Sequence, residues 1–512
     1  MCRKVFLFVL CIALWGQFAT LVAQESQEDR PLQLLSLGDA ISIALEKSYE
    51  MKVARLDRLA AEKNLISARS NFKLRMDANF DLPSASEQVQ EVFRQGGLPE
   101  YETRGSTRYH GDLNLTQPLP TNGLFRLQGE TSFGTVSYWD QVQQSTLRRT
   151  DVLTSLNLNF YQPLFTLNDL KINLQRADLR FESAEKRYKR DELDIIYEVT
   201  SAFYAYYRAT RELEIAEENE ERQQQLAELA QQKYNAGLIA EVEALQLEAD
   251  FAESQAAKVE AGAALLRISD MFKQLIGLQF SDSIGVLTSL DITRVDVNLD
   301  HAIGRALENR SEIRLGEIDI ELAEIEVKET DALRDFQGTL SAFYDITGVA
   351  NSDVWGTSKA EDLWRRSLDD MDERPDNRGV VFSLNVPIWD FGGNKAAVQS
   401  AEADLRTSEL ALAEMRKTIE RQVREVVSRL REAESQLAVL EKREQVAARA
   451  YEISAERFST VEITSQELAL DRERYIGAQV AYLGSYINYQ LALADLKRTT
   501  MYDYENGYNL VE

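Results

Sequence analysis

The chain is written twice, and that duplication constrains what it can fold into more than any single residue does. Near the N-terminus runs Leu37-Gly-Asp-Ala-Ile-Ser-Ile-Ala-Leu-Glu46, and far downstream Leu299-Asp-His-Ala-Ile-Gly-Arg-Ala-Leu-Glu308. Ala40, Ile41, Ala44, Leu45 and Glu46 recur as Ala302, Ile303, Ala306, Leu307 and Glu308, an offset of 262. A second pair matches Asn159-Phe-Tyr-Gln-Pro-Leu-Phe165 with Ser383-Leu-Asn-Val-Pro-Ile-Trp389 at an offset of 224, which still holds where Lys233-Tyr-Asn235 meets Arg457-Phe-Ser459. Each half therefore has one plan: a short helix, a longer helix, extended segments, then a very long helical pair. The first half carries about 38 extra residues in its extended region.

The repeats divide the chain as follows. Residues 1–23 read as a signal peptide, with Arg3 and Lys4 before an apolar run from Val5 to Trp15. The first repeat is 24–290, with strands at about 72–162 and a long helical hairpin at 168–278. The second is 291–498, with strands at about 338–388 and a hairpin at 393–498, and 499–512 form a C-terminal tail. Cys2 and Cys11 both lie in the signal, which leaves the mature chain no disulfide and no thiolate chemistry. A net charge of −26 argues against nucleic acid, which needs a basic footprint. No mature segment has the ~18 consecutive apolar residues of a membrane helix. If the chain crosses a membrane, it does so as strands.

Proline maps the architecture. None of the eight falls between Leu164 and Arg374, and none follows Pro387. An interior proline costs a helix about 3 kcal/mol, so these gaps mark where long helices run. Helices are expected at 37–72, 168–235, 239–278, 299–335, 393–459 and 464–498. The second would extend about 100 Å. Apolar positions alternate in steps of four and three, at Ile195, Val199, Ala202 and Tyr206 and again at Tyr475, Ala478, Tyr482, Ser485 and Tyr489. This is coiled-coil spacing with many small seam residues, and an extended coiled coil fits the helices alone equally well.

The extended segments break the tie. Met76, Ala78, Phe80 and Leu82 alternate with Asp77, Asn79 and Asp81; Leu156, Leu158 and Phe160 oppose Asn157 and Asn159; Phe382, Leu384 and Val386 oppose Ser383 and Asn385. Segments of about ten residues, apolar on one face and polar on the other, suit a membrane barrel with a wet lumen. Tyr138, Trp139, Tyr161, Trp355 and Trp389 stand near strand ends, where interfacial girdles form. Alternation alone also fits a water-soluble sandwich. The strands are too few to cover such helices, however, and they sit mid-way in each half, so the chain goes up through helix, across strands and back down.

At this point the chain resembles the TolC family of outer-membrane efflux and secretion channels over essentially all of its mature length. The resemblance rests on the paired Leu-x-x-Ala-Ile-x-x-Ala-Leu-Glu openings, on Gln162-Pro-Leu-Phe165 and Val386-Pro-Ile-Trp-Asp-Phe-Gly-Gly393, and on the turn Lys233-Tyr-Asn-Ala-Gly-Leu238. It implies a mainly α fold with a membrane β-barrel part, in which the duplicated long-helix and strand protomer forms a trimeric α-helical tunnel plus a shared β-barrel. It further implies a homotrimer in outer-membrane lipid with its tunnel in the periplasm, met by a periplasmic adaptor (membrane fusion) protein and an inner-membrane pump. The function implied is passive export of small molecules or proteins through a tripartite efflux or type I secretion system. The alternative is a periplasmic coiled-coil scaffold without a pore.

Two features depart from the family. Leu113–Pro120, the turn Thr121-Asn-Gly123 and Leu124–Phe133 form an extra hairpin candidate, which either adds to the family's four strands per protomer or stands as an external loop. In the second helical tip, Phe458-Ser-Thr-Val461 places Val461 where the first has Gly237, which makes a left-handed turn costly.

Glu243, nine residues after Tyr234, and Glu467, nine after Phe458, stand where family members carry an acid above the periplasmic entrance, and Asp471 follows Glu467 by one turn. Three-fold symmetry would make each a ring of carboxylates that favours cations; an ordinary solvated acidic face is the plain alternative. Tyr234, Ala236, Gly237, Leu238, Phe458, Thr460 and Val461 are candidates for adaptor contact, or else make a plain helix–turn–helix connection. His110 and His301 have no metal-ligand spacing around them, and no nucleophile elbow or phosphate-binding loop occurs. The reading is a non-enzyme without cofactor or metal.

Overall fold

A computed structural model describes residues 33–92, 100–140, 145–287, 294–352 and 359–510. The expected signal peptide and Trp355 lie outside the described residues, as does the side chain of Tyr138. The duplication is visible element by element. Helices α1 (Leu37–Lys47) and α2 (Tyr49–Ser70) correspond to α5 (Leu299–Asn309) and α6 (Ser311–Ala332), at 11 and 22 residues in both halves. The long pairs α3 (Asp169–Asn235) with α4 (Glu241–Ile276), and α8 (Gly393–Ser459) with α9 (Ser465–Thr500), have 67 and 36 residues each.

The two expected helices at 37–72 and 299–335 are each broken, at Ser48 and Arg310. Both residues take extended ψ and close the preceding helix through N–H bonds to Ala44 and Ala306. Ser48 then begins the next helix, its Oγ accepting from the Met51 N–H at 3.2 Å. The repeated Ala-Ile-x-x-Ala-Leu motif has a packing reason: Ala40, Ala44, Ala302 and Ala306 are fully buried, so only a methyl fits where α1 and α5 lie on α4 and α9. At α1, Asp39 closes a capping box with Ser36, and those hydrogen bonds hold its carboxyl below the usual range.

The chain divides into two compact units. One holds residues up to Leu56, 187–311 and from 416 onward; the other holds 57–186 and 312–415. The first is helical, with small pairs β1 (Gln33–Leu35) on β6 (Ile284–Val286) and β9 (Tyr502–Asp503) on β10 (Tyr508–Asn509). In its core Phe203 meets Phe272 and Tyr204 edge-on, and the buried Tyr206 hydroxyl donates to the Ile284 carbonyl at 2.7 Å.

The second unit carries a six-stranded antiparallel sheet in the order β2 (Arg75–Val92), β3 (Glu100–Pro118), β4 (Leu124–Asp140), β5 (Ser145–Leu164), β7 (Gln337–Asn351), β8 (Asn377–Asn385). The extra hairpin is therefore part of the sheet and not a loop beside it. Asn122 turns it in the left-handed region at φ 70, and Leu119 N–H closes it on Gly123 O at 2.7 Å. One rung joins Met76, Leu115, Leu127, Leu158 and Tyr344, so the alternation of each strand falls on the same face as its neighbours'. The next rung, Asp77, Asn114, Gln128, Asn157 and Asp345, lies on the other face. Strands β2 to β5 run 17–20 residues, well beyond the expected ten, and only their half nearest the helices keeps the apolar alternation.

Helix α7 (Ala360–Glu373), between β7 and β8, was not expected from the sequence. Its Leu363 packs on Val152, Ala350 and Phe133. The Ser367 hydroxyl lies 2.9 Å from the Gly348 carbonyl and 3.1 Å from Thr154 Oγ1. Strand β8 begins opposite Asp345, so β7 continues beyond it without that partner, and the Asp370 carboxylate accepts the Val349 N–H at 2.7 Å. Gly348 makes this approach possible, because a Cβ there would sit 1.8 Å from the Ser367 carbonyl oxygen. Gly348→Ala should destabilise this unit by about 1–3 kcal/mol through overpacking. In detergent, cleavage by protease within 359–374 should rise several-fold, and a variant as resistant as wild type would contradict this account of α7.

Candidate gate at the helical tips

Each long hairpin turns at a tip, and the two tips share one backbone plan. In the first, Gly237 N–H bonds Tyr234 O and Leu238 N–H bonds Lys233 O, both at 2.9 Å. In the second, Val461 N–H bonds Phe458 O at 3.1 Å and Glu462 N–H bonds Arg457 O at 2.9 Å. This paired pattern is the Schellman closure, which needs a left-handed residue. Gly237 supplies it at φ 69, and Val461 is held in the same region at φ 65. The cost expected at Val461 is thus borne rather than avoided, about 1–2 kcal/mol for a residue with a Cβ.

What holds Val461 there is a core shared by both tips. Phe458 is 1% exposed and packs with Ala230, Ala244, Leu247, Tyr451 and Leu468. The Lys233 ammonium donates to the Phe458 carbonyl and lies 4.5 Å from the centre of its ring. Burial pushes the pKa of this ammonium below the ordinary lysine value. Deeper in, Arg472 of α9 meets Asp250 of α4 at 3.3 Å, with side chains only 17% and 8% exposed, and Gln246 donates to the same carboxylate at 3.0 Å. Tyr451 and Tyr475 stack nearby at 5.7 Å. These contacts tie the first hairpin to the second.

The residues singled out from sequence separate into groups. Tyr234, Ala236, Gly237, Leu238, Thr460 and Val461 are exposed at the turns, whereas the Phe458 side chain is interior. Glu467 closes a capping box on Thr464, whose N–H reaches its carboxylate at 3.1 Å. Its counterpart Glu243 is half-buried in the first turn of α4, where Ala240 offers no side-chain cap. Asp471 accepts from Ser454 Oγ at 2.6 Å and pairs with Arg474 at 3.0 Å. Asp250, Arg472 and Lys233 are the functional candidates that sequence reasoning missed. Their one signal was a lysine aligned with Arg457 in a turn otherwise read for its glycine. His110 stands 3.3 Å from Asp112, and His301 packs edge-on to Tyr502 and Tyr504. Among the described residues no three His, Cys, Asp or Glu side chains gather as a metal site, and no helix is long and apolar enough to cross a membrane.

The tips also allow a reciprocal swap. Gly237→Val should cost about 1–2 kcal/mol, since a Cβ there meets no atom within 4 Å and only the backbone is strained. Val461→Gly should gain up to about 1 kcal/mol, the strain relieved less the entropy of glycine. Amide exchange at 455–464 should slow or stay level in Val461→Gly, while exchange at 231–240 should speed up in Gly237→Val.

A family described as outer membrane efflux protein matches residues 132–278 and 302–499. No curated protein matches. Among solved structures, the CmeC outer membrane channel of Campylobacter jejuni aligns at TM-score 0.66 and 14% identity, covering 93% of this chain and 87% of CmeC. The outer membrane protein VceC of Vibrio cholerae aligns at 0.64 and 17%, covering 91% and 95%. The open-state MtrE outer membrane channel of Neisseria gonorrhoeae aligns at 0.62 and 16%, covering 91% and 88%. These likenesses establish the fold, and the duplicated family match across both repeats establishes more: the chain belongs to the outer membrane efflux protein family, and it serves as an efflux channel-tunnel of the outer membrane.

Proposed function

We propose that three copies of this chain act together as the exit duct of a tripartite efflux or type I secretion system, with the sheets in the outer membrane and the long helical hairpins in the periplasm. One observation carries this reading. A sheet that is apolar on one face and polar on the other ends in two unpaired edges, β2 and β8, and lipid tolerates no open edge. A single chain offers too few strands to enclose a lumen, whereas a ring of identical chains closes. A pore-less scaffold gives no reason for a sheet built in this way.

Transport through such a duct is passive, with its energy supplied by an inner-membrane pump through a periplasmic adaptor. The exposed turn residues Tyr234, Ala236, Gly237, Leu238, Thr460 and Val461 are the adaptor contacts, and the buried Phe458 sets their spacing from beneath. At the entrance Glu243, Glu467 and Asp471 repeat around the three-fold axis and favour cations. The Asp250–Arg472 pair is the latch between hairpins. Removing one member of a buried pair strands the other charge, a penalty of about 3–5 kcal/mol. That favours separation of α4 from α9.

Single-channel conductance of the purified protein in a planar bilayer tests the reading. Wild type should pass a small, cation-selective current. Arg472→Ala should raise it several-fold. Asp471→Ala and Glu467→Ala should lower cation preference, with the Glu467 change also costing about 1 kcal/mol of helix capping. Current that is identical in all three variants would discard these gate residues and keep the channel. A protein soluble without detergent and silent in bilayers would discard the channel.

A further inference from the structure

We infer that three copies close an eighteen-strand barrel through a direct β8-to-β2 seam, giving an exit lumen much wider than twelve strands would. This rests on the outer-membrane duct proposed above, and it concerns the edges of the sheet. The partner surface is a second copy of this chain.

Four observations converge on the seam. First, the edges have complementary direction: with six alternating strands β2 and β8 run oppositely, so β8 of one copy meets β2 of the next as an antiparallel pair. Second, both edges are exposed along nearly their whole length, including Met76, Phe80 and Leu82 on β2 and Val380, Phe382 and Leu384 on β8. Third, the faces match. Setting the helix-proximal ends side by side, Arg75 against Asn385, places Met76, Ala78 and Phe80 opposite Leu384, Phe382 and Val380, and Asp77 opposite Ser383. A one-residue slip would set Met76 against Ser383 or Asn385 and turn the edge's apolar residues onto the opposite face from their neighbours'.

Fourth, the shear is right for closure. Following ladder partners from Arg75 leads to Thr116, Arg126, Asn159, Phe343 and Gly379. Strand β8 continues six residues past Gly379 to end at Asn385. Each copy joined end to end therefore contributes a stagger of six residues over six strands, a strand tilt of about 35°. Membrane barrels use about 35–45°. At that tilt eighteen strands make a ring about 34 Å across between backbones, and twelve make about 22 Å. The lumen gains about 2.3 times the cross-section, lined by Asp77, Asp112 and Glu130 on the polar face. Cargo too bulky for a twelve-strand exit passes this one.

Cysteine cross-linking tests the seam, because the sequence's two cysteines, Cys2 and Cys11, precede the first described residue. A chain carrying Asp77→Cys and Ser383→Cys, treated with a short bis-maleimide in outer membranes, should run as covalent dimers and trimers. A chain carrying Gln128→Cys and Ser383→Cys tests the rival in which β4 is the edge and twelve strands close; it should stay monomeric in denaturing gels. Links in the second chain, or links in neither from a protein that sediments as a trimer, would overturn the eighteen-strand barrel and leave the duct standing. Should the variants fail to assemble, imaging of the wild-type assembly decides: a strand ring about 34 Å across supports the inference and one about 22 Å overturns it. A wild-type protein that is monomeric in the membrane fraction would sink the duct itself.

Discussion

Everything in the strand-bearing unit answers to one requirement: a backbone N–H or C=O in hydrocarbon must have a partner, because water is not there to supply one. Four of the six strands have a strand neighbour on both sides within the chain, along most of their length. The two outermost do not, so the chain's sheet is complete only in company. The requirement explains the parity of the insertion in the first repeat. Adding β3 and β4 together as a hairpin preserves the alternation of strand direction, whereas a single added strand would place parallel edges at every junction between copies. An insertion in pairs is the only kind that leaves the ring antiparallel throughout.

A milder form of the same requirement, that backbone groups covered by packing find partners, accounts for α7. Strand β8 is nine residues long and β7 is fifteen, so the far part of β7 outruns its neighbour. The helix fills that position with side-chain chemistry in place of a strand. Asp370 takes the Val349 N–H, Ser367 reaches the Gly348 carbonyl, and Leu363 covers Val152 and Ala350. Gly348 is the residue that permits a helix to lie so close. Helix α7 covers the apolar Val152, Ala350 and Phe133 with its buried side, while its charged residues are mostly exposed.

Much of this was legible in the sequence because it is periodic. Proline-free stretches read with apolar spacing place the long helices at 168–235, 239–278, 393–459 and 464–498, within two residues of their observed ends, and the alternation at Met76–Leu82 and Leu156–Phe160 gives the strands and their faces. The Asn-Gly turn announces the added hairpin, but periodicity cannot say whether a hairpin joins a sheet, since that depends on partners distant in the chain. The breaks at Ser48 and Arg310 were missed because apolar spacing runs on across a one-residue kink. Helix α7 was missed because its signal, Leu363, Ser367 and Met371 on one side, is short and lies among strands. Asp250–Arg472 and Lys233–Phe458 were invisible for another reason: the partners lie more than two hundred residues apart and on different repeats. The duplication gives their elements, but the equivalent of Asp250 in the second repeat is Arg474, so no internal alignment would pair Asp250 with Arg472.

That asymmetry bears on how an entrance can open. Two identical hairpins would meet through identical contacts, and separating them would offer no preferred direction. Here the hairpins differ where they touch. The first contributes an acid and a lysine, Asp250 and Lys233; the second contributes an arginine, Arg472, and a buried phenylalanine with its carbonyl. The first tip turns on a relaxed glycine and the second on a strained valine. Glu467 caps the start of α9 through Thr464, while α4 begins at Ala240 with no side-chain cap. Strain and the weaker cap thus fall on opposite hairpins, and the buried ion pair and the lysine clasp bridge them. Under the function proposed above, a partner that pulled on the exposed turns would first meet these localised bonds, each worth about one to a few kcal/mol. In the gate proposed above, few contacts would hold the entrance shut and binding energy of ordinary size would open it, the duplicated helices serving as rigid arms and the departures from duplication as the catch.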